Sequence, residues 1–361
     1  MANGNFAGGD GTETNPFLIE DAFDLNAVRN NLDGHYKLIC DIDLNVSPFN
    51  VDKGWTPLGD RYKPFRGVLN GNGKTISNLY INYTSGAYQG LFGVINYMRS
   101  PIVNVFDLKI DNFDITSQYN VGSLCGSCNQ MVILKNVCST NGTVRGYSEV
   151  GGLVGGSASD GLIKNAYSAN VTVVGTDKRI GGLVGYHISV LENCYASNIV
   201  RGGTNVGGLV GARYISTNTN PSASAINSYY DLSKYSSSAC GEGKTIAQML
   251  TASTYVGWKD EKTSDGRNVW ILKDNKYPEL YFNKPQVHYI LKSGDKYYSL
   301  KPESYDSVNG VYIPCEKDYI NNSMDDLCDL TNEVEIDGHV FRPIDKFNKN
   351  VPIEIYNSIR K

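Results

Sequence analysis

A five-residue phrase that returns five times limits this chain more than any other feature. It reads Gln89-Gly90-Leu91-Phe92-Gly93, Gly122-Ser123-Leu124-Cys125-Gly126, Gly151-Gly152-Leu153-Val154-Gly155, Gly181-Gly182-Leu183-Val184-Gly185 and Gly207-Gly208-Leu209-Val210-Gly211. The leucines step by 33, 29, 30 and 26 residues, so the unit is one supersecondary element repeated in series. A second phrase built around Asn follows each copy: Val103-Asn104-Val105, Lys135-Asn136-Val137, Lys164-Asn165-Ala166, Glu192-Asn193-Cys194 and Ile226-Asn227-Ser228. Its better copies alternate with period two, as in Ile163, Asn165, Tyr167, Ala169 and Val171, which is a strand pattern.

Helical repeats of this length need glycine-free stretches with a 3.6-residue period, and the chain has none. A β-solenoid fits. Each turn contributes short strands that pair with the turns above and below, and Leu, Val and Ile stack inside. Glycines serve corners that need φ > 0 or close backbone approach, and a recurring Asn forms a ladder. A propeller of the same period wants about four strands and 40 residues per blade. The expected fold class is therefore all-β: a β-helix or β-solenoid with short helical caps, followed by a small α+β module.

The repeats resemble the GLUG motif, a Gly-Leu-Val-Gly-like repeat of bacterial surface adhesins and of extracellular domains of some cell-wall-associated proteases. The resemblance covers roughly residues 86–232 and implies a scaffold rather than an activity. The first two copies depart from it at Gln89, Phe92, Ser123 and Cys125.

Residues 1–64 read as an N-terminal cap and first coil strands. Pro16 to Ile19 is a strand, and Asp21 to Leu32 an amphipathic helix with Phe23, Ala27 and Val28 near one face. The array takes 65–244. A C-terminal cap is expected over 245–285, with a short helix at Thr245–Leu250 and a closing strand at Val269–Leu272 with Tyr277–Leu280. From 286 to 361 the glycine repeat is gone. Ser293-Gly294-Asp295 and Asp337-Gly338 mark two hairpins, and Ser323 caps a short helix through Asp325-Asp326-Leu327-Cys328. This last segment resembles tail or virion structural proteins of phages and prophages of Gram-positive anaerobes. The resemblance implies an assembly or docking role.

The 33 Lys and Arg against 37 Asp and Glu form no basic stripe, which argues against nucleic acid as a partner. No apolar run reaches the length of a membrane span, and Met1 to Phe17 lacks the charged and apolar regions of a standard signal peptide. The eight Cys are dilute and irregularly spaced, and read as mostly reduced thiols.

Enzymes built on β-helices converge two or three carboxylates on a groove. The densest candidates are Asp41 with Asp43, and Asp107, Asp111 and Asp114, which read more simply as solvated strand and turn carboxylates. Glu149, Asp160, Asp177 and Glu192 do not recur in one column. Cys125-Gly126-Ser127-Cys128 matches a metal or redox spacing, but the repeat alignment places Cys125 with Phe92, Val154, Val184 and Val210, as a core thiol. His35, His187, His288 and His339 have no ligand spacing. The expectation is no catalytic residue, no metal and no cofactor. Asn82-Tyr83-Thr84, Asn141-Gly142-Thr143 and Asn170-Val171-Thr172 are formal glycosylation acceptors, set aside without a secretion signal.

Twenty-five tyrosines give the best functional lead. Tyr83, Tyr88, Tyr97, Tyr119, Tyr147, Tyr186 and Tyr214 fall near repeat corners, and Tyr229 and Tyr230 near the end of the array. Exposed rings among Asn, Ser and Thr suit glycans or protein epitopes. Tyr147, Tyr186, Tyr214, Tyr229 and Tyr230 are the candidate binding residues. The leading expectation is a non-enzymatic structural protein of a phage or phage-derived particle. It would be made in the host cytoplasm and contact a glycan or protein of a bacterial surface. Its C-terminal module would meet other virion or tail proteins, and a homo-trimer is one expected state. The alternatives are a bacterial cell-surface adhesin and a polysaccharide depolymerase.

Overall fold

The computed structural model describes residues 5–96, 103–158, 160–214, 224–263 and 268–283, and beyond them the backbone of strands between 287 and 343. The chain divides into two units, 1–283 and 284–361.

The first unit is a β-solenoid in which each coil of the array adds strands to three sheets. The largest sheet has 14 strands. Its path runs through Phe17–Ile19, His35–Leu38, Val68–Ser77, Val103–Asp111, Val132–Gly146, Leu162–Gly175, Tyr195–Arg201, Tyr229–Asp231 and Glu242–Lys244. A five-stranded sheet stacks Ala87–Gln89, Tyr119–Val121, Ser148–Gly151, Lys178–Gly181 and Thr204–Gly207. Another stacks Phe92–Ile95, Cys125–Cys128, Val154–Ser157, Val184–His187 and Val210–Arg213. Coil pairs with coil in parallel, as in Val137↔Ala166, Val150↔Ile180 and Cys125↔Val154.

The repeated phrase is the corner between the two short sheets. Leu91, Leu124, Leu153, Leu183 and Leu209 are all buried there in one stack. The backbone ladder carries on through the corner, with Leu124 N donating to Leu153 O and Leu183 N to Leu209 O. Interior side chains tie the long sheet to the same corner. Gly152 O accepts from Ser123 Oγ and Ser139 Oγ, and Gly182 O accepts from Asn198 Nδ2.

Glycine and asparagine divide the corner work differently from the expectation. The last Gly of each phrase is there for close approach: a Cβ on Gly185 would lie 2.6 Å from both Gly155 O and Val150 N. Much of the left-handed backbone falls in three columns, two of them almost entirely Asn. One runs through Asp107, Asn136, Asn165, Asn193 and Asn227 at φ 56, 53, 53, 53 and 46°. A second holds Asn78, Asn112, Asn141 and Asn170, and a third Tyr88, Asn120, Glu149, Arg179 and Asn205. Asn tolerates this region because its short side chain hydrogen-bonds locally, whereas other L-residues pay about 1–2 kcal/mol. The amides then bond from coil to coil: Asn136 Nδ2 to Asp107 Oδ1 at 2.7 Å, Asn165 Nδ2 to Asn136 Oδ1 at 3.1 Å, and Asn170 Nδ2 to Asn141 Oδ1 at 2.6 Å. The first Asn phrase is corrected by this register. Asn104 pairs with Ile133, and Asp107 takes the ladder position.

At the N-terminal end, Asp21 caps the helix Ala22–Ala27 by accepting from the amides of Phe23 and Asp24, and a 3-10 turn, Val28–Asn30, follows. Leu25 and Val28 join the core, which continues through the ring contacts Phe6–Phe17, Phe17–Tyr36, Tyr36–Phe65 and Phe65–Phe92.

Residues 245–283 correct a further expectation. The helix Ile246–Met249, with its Thr245–Gln248 capping box, and the antiparallel pair Trp270–Ile271 with Glu279–Leu280 form where the sequence places them. They do not sit over the end of the array. Met249, Tyr255, Trp258, Val269, Trp270 and Leu280 form a second core with Cys138, Tyr167, Tyr195 and Tyr229, one residue from each of four successive coils. Trp270 Nε1 donates to Asn165 Oδ1 at 3.1 Å, Tyr195 Oη to Pro278 O at 2.8 Å, and Trp258 Nε1 to Asn227 O at 3.1 Å. Lys164 pairs with both Glu192 and Glu261 at 2.8 Å. Burial lowers the Lys164 pKa, but the two carboxylates outweigh it and hold it above the ordinary lysine value. Phe282 reaches Gly73, on a coil near the start of the array. The segment is a brace laid along the long sheet, and residues Leu232 to Lys244 close the final coil.

The second unit has a five-stranded sheet in the order Tyr319–Ile320, Lys296–Leu300, Val287–Ser293, His339–Pro343, Val334–Ile336. Both hairpin pairs are antiparallel, and Val287–Ser293 runs parallel to His339–Pro343. The helix expected at Ser323–Cys328 lies outside the described residues.

Candidate functional site

The five candidate tyrosines separate into two groups. Tyr147 and Tyr214 are 44% and 49% exposed. Tyr147 meets Tyr119, from the preceding coil and also exposed, edge to face at 5.4 Å. Tyr186 is half-buried beneath the Arg179 guanidinium, 4.2 Å from its ring centroid. Tyr229 and Tyr230 depart from the exposed-face expectation. At 6% and 8% exposure they are core residues, the first against Tyr255 and Trp258 of the brace and the second inside the solenoid. Tyr83 stands under Lys53 at 4.6 Å, and Tyr97 lies outside the described residues.

The carboxylates weighed for catalysis are engaged in the scaffold. Asp41 accepts from Thr75 N, and Asp43 from Asn45 N and Asn78 Nδ2. Asp107 terminates the first Asn ladder, Asp111 accepts from Thr140 and Asn141, and Asp114 pairs with Arg145. Among the described residues no group of His, Cys, Asp and Glu is arranged to hold a metal. Cys125 and Cys128 are buried in the third sheet, in register with Phe92 and Ile95, and burial pushes the Cys125 thiol up, away from thiolate chemistry.

Two features escaped the sequence reading. One is Glu149 with Arg179, charged residues in the left-handed column otherwise held by Asn120, Asn205 and Tyr88. They form an ion pair, and Asn120 Nδ2 donates to the other Glu149 oxygen. The signal was the position six residues before the final Gly of the repeat phrase. The other is His187, fully buried beside Ser157 and Ser189. The Ser224 carbonyl 3.2 Å from Nε2 only accepts, so Nε2 carries the proton and Nδ1 accepts from Ser157 Oγ at 3.0 Å.

Burial lowers the His187 pKa from 6.5 to about 4, with Arg213 on the neighbouring strand adding to the effect and the Ser224 carbonyl opposing it. A folded pKa below the unfolded one gives stability that is full above about pH 6.5 and lost as pH falls toward 4. The loss attributable to this residue is at most about 3 kcal/mol. Urea titrations at a series of pH values should show His187→Gln losing less stability than wild type across that window. Equal slopes would mean that the ring is hydrated in solution.

The fold so described is a parallel β-solenoid carrying a GLUG motif, whose family description matches residues 177–201. The chain is 42% identical over 135 residues to a protein of Evansella cellulosilytica named as a Gly-rich membrane protein, covering 37% of this chain and 15% of that one. It is 35% identical over 155 residues to halomucin of Haloquadratum walsbyi, covering 40% of this chain and 2% of the other. The chain thus spans a small part of the length of these relatives. Among solved structures, a Bacteroides ovatus protein described as an immunoglobulin A1 protease superposes with a TM-score of 0.53 at 21% identity, over 77% of this chain and 95% of that one. That likeness concerns the fold. No helix among the described residues is long and apolar enough to cross a membrane.

Proposed function

We propose that this chain is a non-enzymatic, surface-associated structural module that contributes to attachment at a bacterial cell surface. The observation that carries the reading is the 42% identity to a protein named as a Gly-rich membrane protein, over a stretch long enough to hold several coils. The chemistry agrees: the clustered carboxylates hold ladders, caps and ion pairs, while tyrosines at the corners stay open to solvent. Exposed aromatic rings among polar side chains suit glycans and protein epitopes, and a braced solenoid holds them rigid. The particle setting rested on residues 286–361, and the relatives favour the cell-surface setting over it.

The test is co-sedimentation of the full chain with purified Gram-positive cell envelopes, with released sugar assayed in the supernatant. The expected result is a sedimenting protein and no released sugar. Sugar release would replace this reading with the depolymerase, and a protein left in the supernatant would remove the attachment role.

A further inference from the structure

We infer that Glu149, Arg179 and Tyr186 form a subsite for an uncharged saccharide on the outer surface where the two short sheets meet. This rests on the attachment reading and names a place and a ligand class within it.

The argument begins with backbone conformation. Each coil puts one residue of the third column into the left-handed region: Tyr88, Asn120, Glu149, Arg179 and Asn205, at φ 60, 53, 59, 65 and 52°. Asn is the inexpensive choice and occupies two of the five. Glu149 and Arg179, on consecutive coils, are strained there without any demand from the interior, because their side chains lie on the outer surface, 20% and 33% exposed. Strain kept at a surface position points to use.

The side chains form an ordered polar set. Arg179 Nη1 binds Glu149 Oε1, Asn120 Nδ2 binds Glu149 Oε2, and the guanidinium lies over the Tyr186 ring at 4.2 Å. Parallel register gives Tyr186 small neighbours in the same column, Gly156 on the preceding coil and Ala212 on the next. Gly156 is the buried floor under the bridge: the atoms nearest a Cβ there would be Asn120 Nδ2 at 3.1 Å and Glu149 Oε2 at 3.5 Å. The half-buried ring therefore has small residues on either side along its column, with the guanidinium over one face and the paired carboxylate held in fixed orientation. The pair is locally neutral, so it offers acceptors and donors without attracting net charge. Oriented donors and acceptors beside an aromatic ring recognise vicinal hydroxyls on a sugar, and local neutrality disfavours an acidic polymer.

The test is affinity electrophoresis of the full chain through gels containing soluble galactomannan, xyloglucan or β-glucan, or the acidic polymer hyaluronan. Wild type is expected to be retarded by at least one neutral polymer. Tyr186→Ala, and separately the double variant Glu149→Asn with Arg179→Asn, are expected to weaken retardation by about tenfold or more. Asn already fills this column at 120 and 205, so the double variant should melt no lower than wild type and a folding defect is kept apart from a binding defect. Tyr62→Ala, at an 82% exposed ring ahead of the repeat array, should bind the same polymer as wild type does. The subsite is overturned if both test variants bind as wild type, if only hyaluronan retards the chain, or if no neutral polymer does. Envelope sedimentation tells the two readings apart: sedimentation without neutral-polymer binding removes the subsite alone, whereas failure to sediment removes the attachment reading with it.

Discussion

Gly185→Ala is expected to lower the unfolding free energy by about 3 kcal/mol or more. The reason is geometric. A Cβ at residue 185 would lie 2.6 Å from Gly155 O, 2.6 Å from Val150 N and 2.7 Å from Glu149 C, all backbone atoms of the preceding coil. Backbone cannot rotate away as a side chain can, so the two short sheets must part at that corner. Each coil is held by its neighbours, and a parted corner weakens the contacts of both adjacent coils. Gly161→Ala is the control, since its nearest neighbours are Val132 O at 3.2 Å and Ser189 Cβ at 3.5 Å, and it should cost about 1 kcal/mol or less. Urea unfolding of the two variants beside wild type measures the difference. Equal costs would show that the last glycine of the phrase does not set the distance between the sheets.

That corner also shows how much the sequence made legible. The five glycine phrases announce a solenoid, and the alignment that put Cys125 in line with Phe92 and Val154 matches the strand register. The side-chain direction of the following strand was not legible from alternation, because a left-handed residue resets the phase. Ile163 points into the solenoid core, Asn165 turns the chain, and Ala166 rather than Tyr167 next points inward. Tyr167 therefore faces outward into the second core, and Tyr195 and Tyr229 fall in the same outward column. Reading strict period two through Asn165 hides this aromatic stripe and leaves Tyr229 counted among surface rings. The Glu149–Arg179 pair was hidden for a related reason. Its shared column is defined by φ and by coil register, and carboxylates counted along the chain do not reveal it.

The stripe leads to the second large effect. Trp270→Ala is expected to cost about 3–5 kcal/mol, the range for deleting a large buried aromatic side chain. Trp270 is 2% exposed, its ring centroid lies 4.3 Å from Trp258 and about 6 Å from Tyr167 and Tyr195, and its indole N–H satisfies Asn165 in the middle of the first ladder. Trp270→Phe should recover part of the packing but not the hydrogen bond, and so fall between Ala and wild type. The place where protection is lost distinguishes a brace from an end cap. A brace spreads the loss along the long sheet, so amide exchange in Trp270→Ala should rise in Leu162–Gly175 and Tyr195–Arg201 while Val184–His187, on the third sheet, changes little. An end cap would confine the rise to Tyr229–Asp231 and Glu242–Lys244, and that pattern would sink the brace. The stacked pair Tyr167–Tyr195, 4.8 Å between centroids and 9° from parallel, crosses from one coil to the next under this segment. An array built from nearest-neighbour contacts gains from such a segment what the coils do not supply alone: one polypeptide stretch whose contacts reach several coils, so that opening any one of them disturbs packing shared with the others.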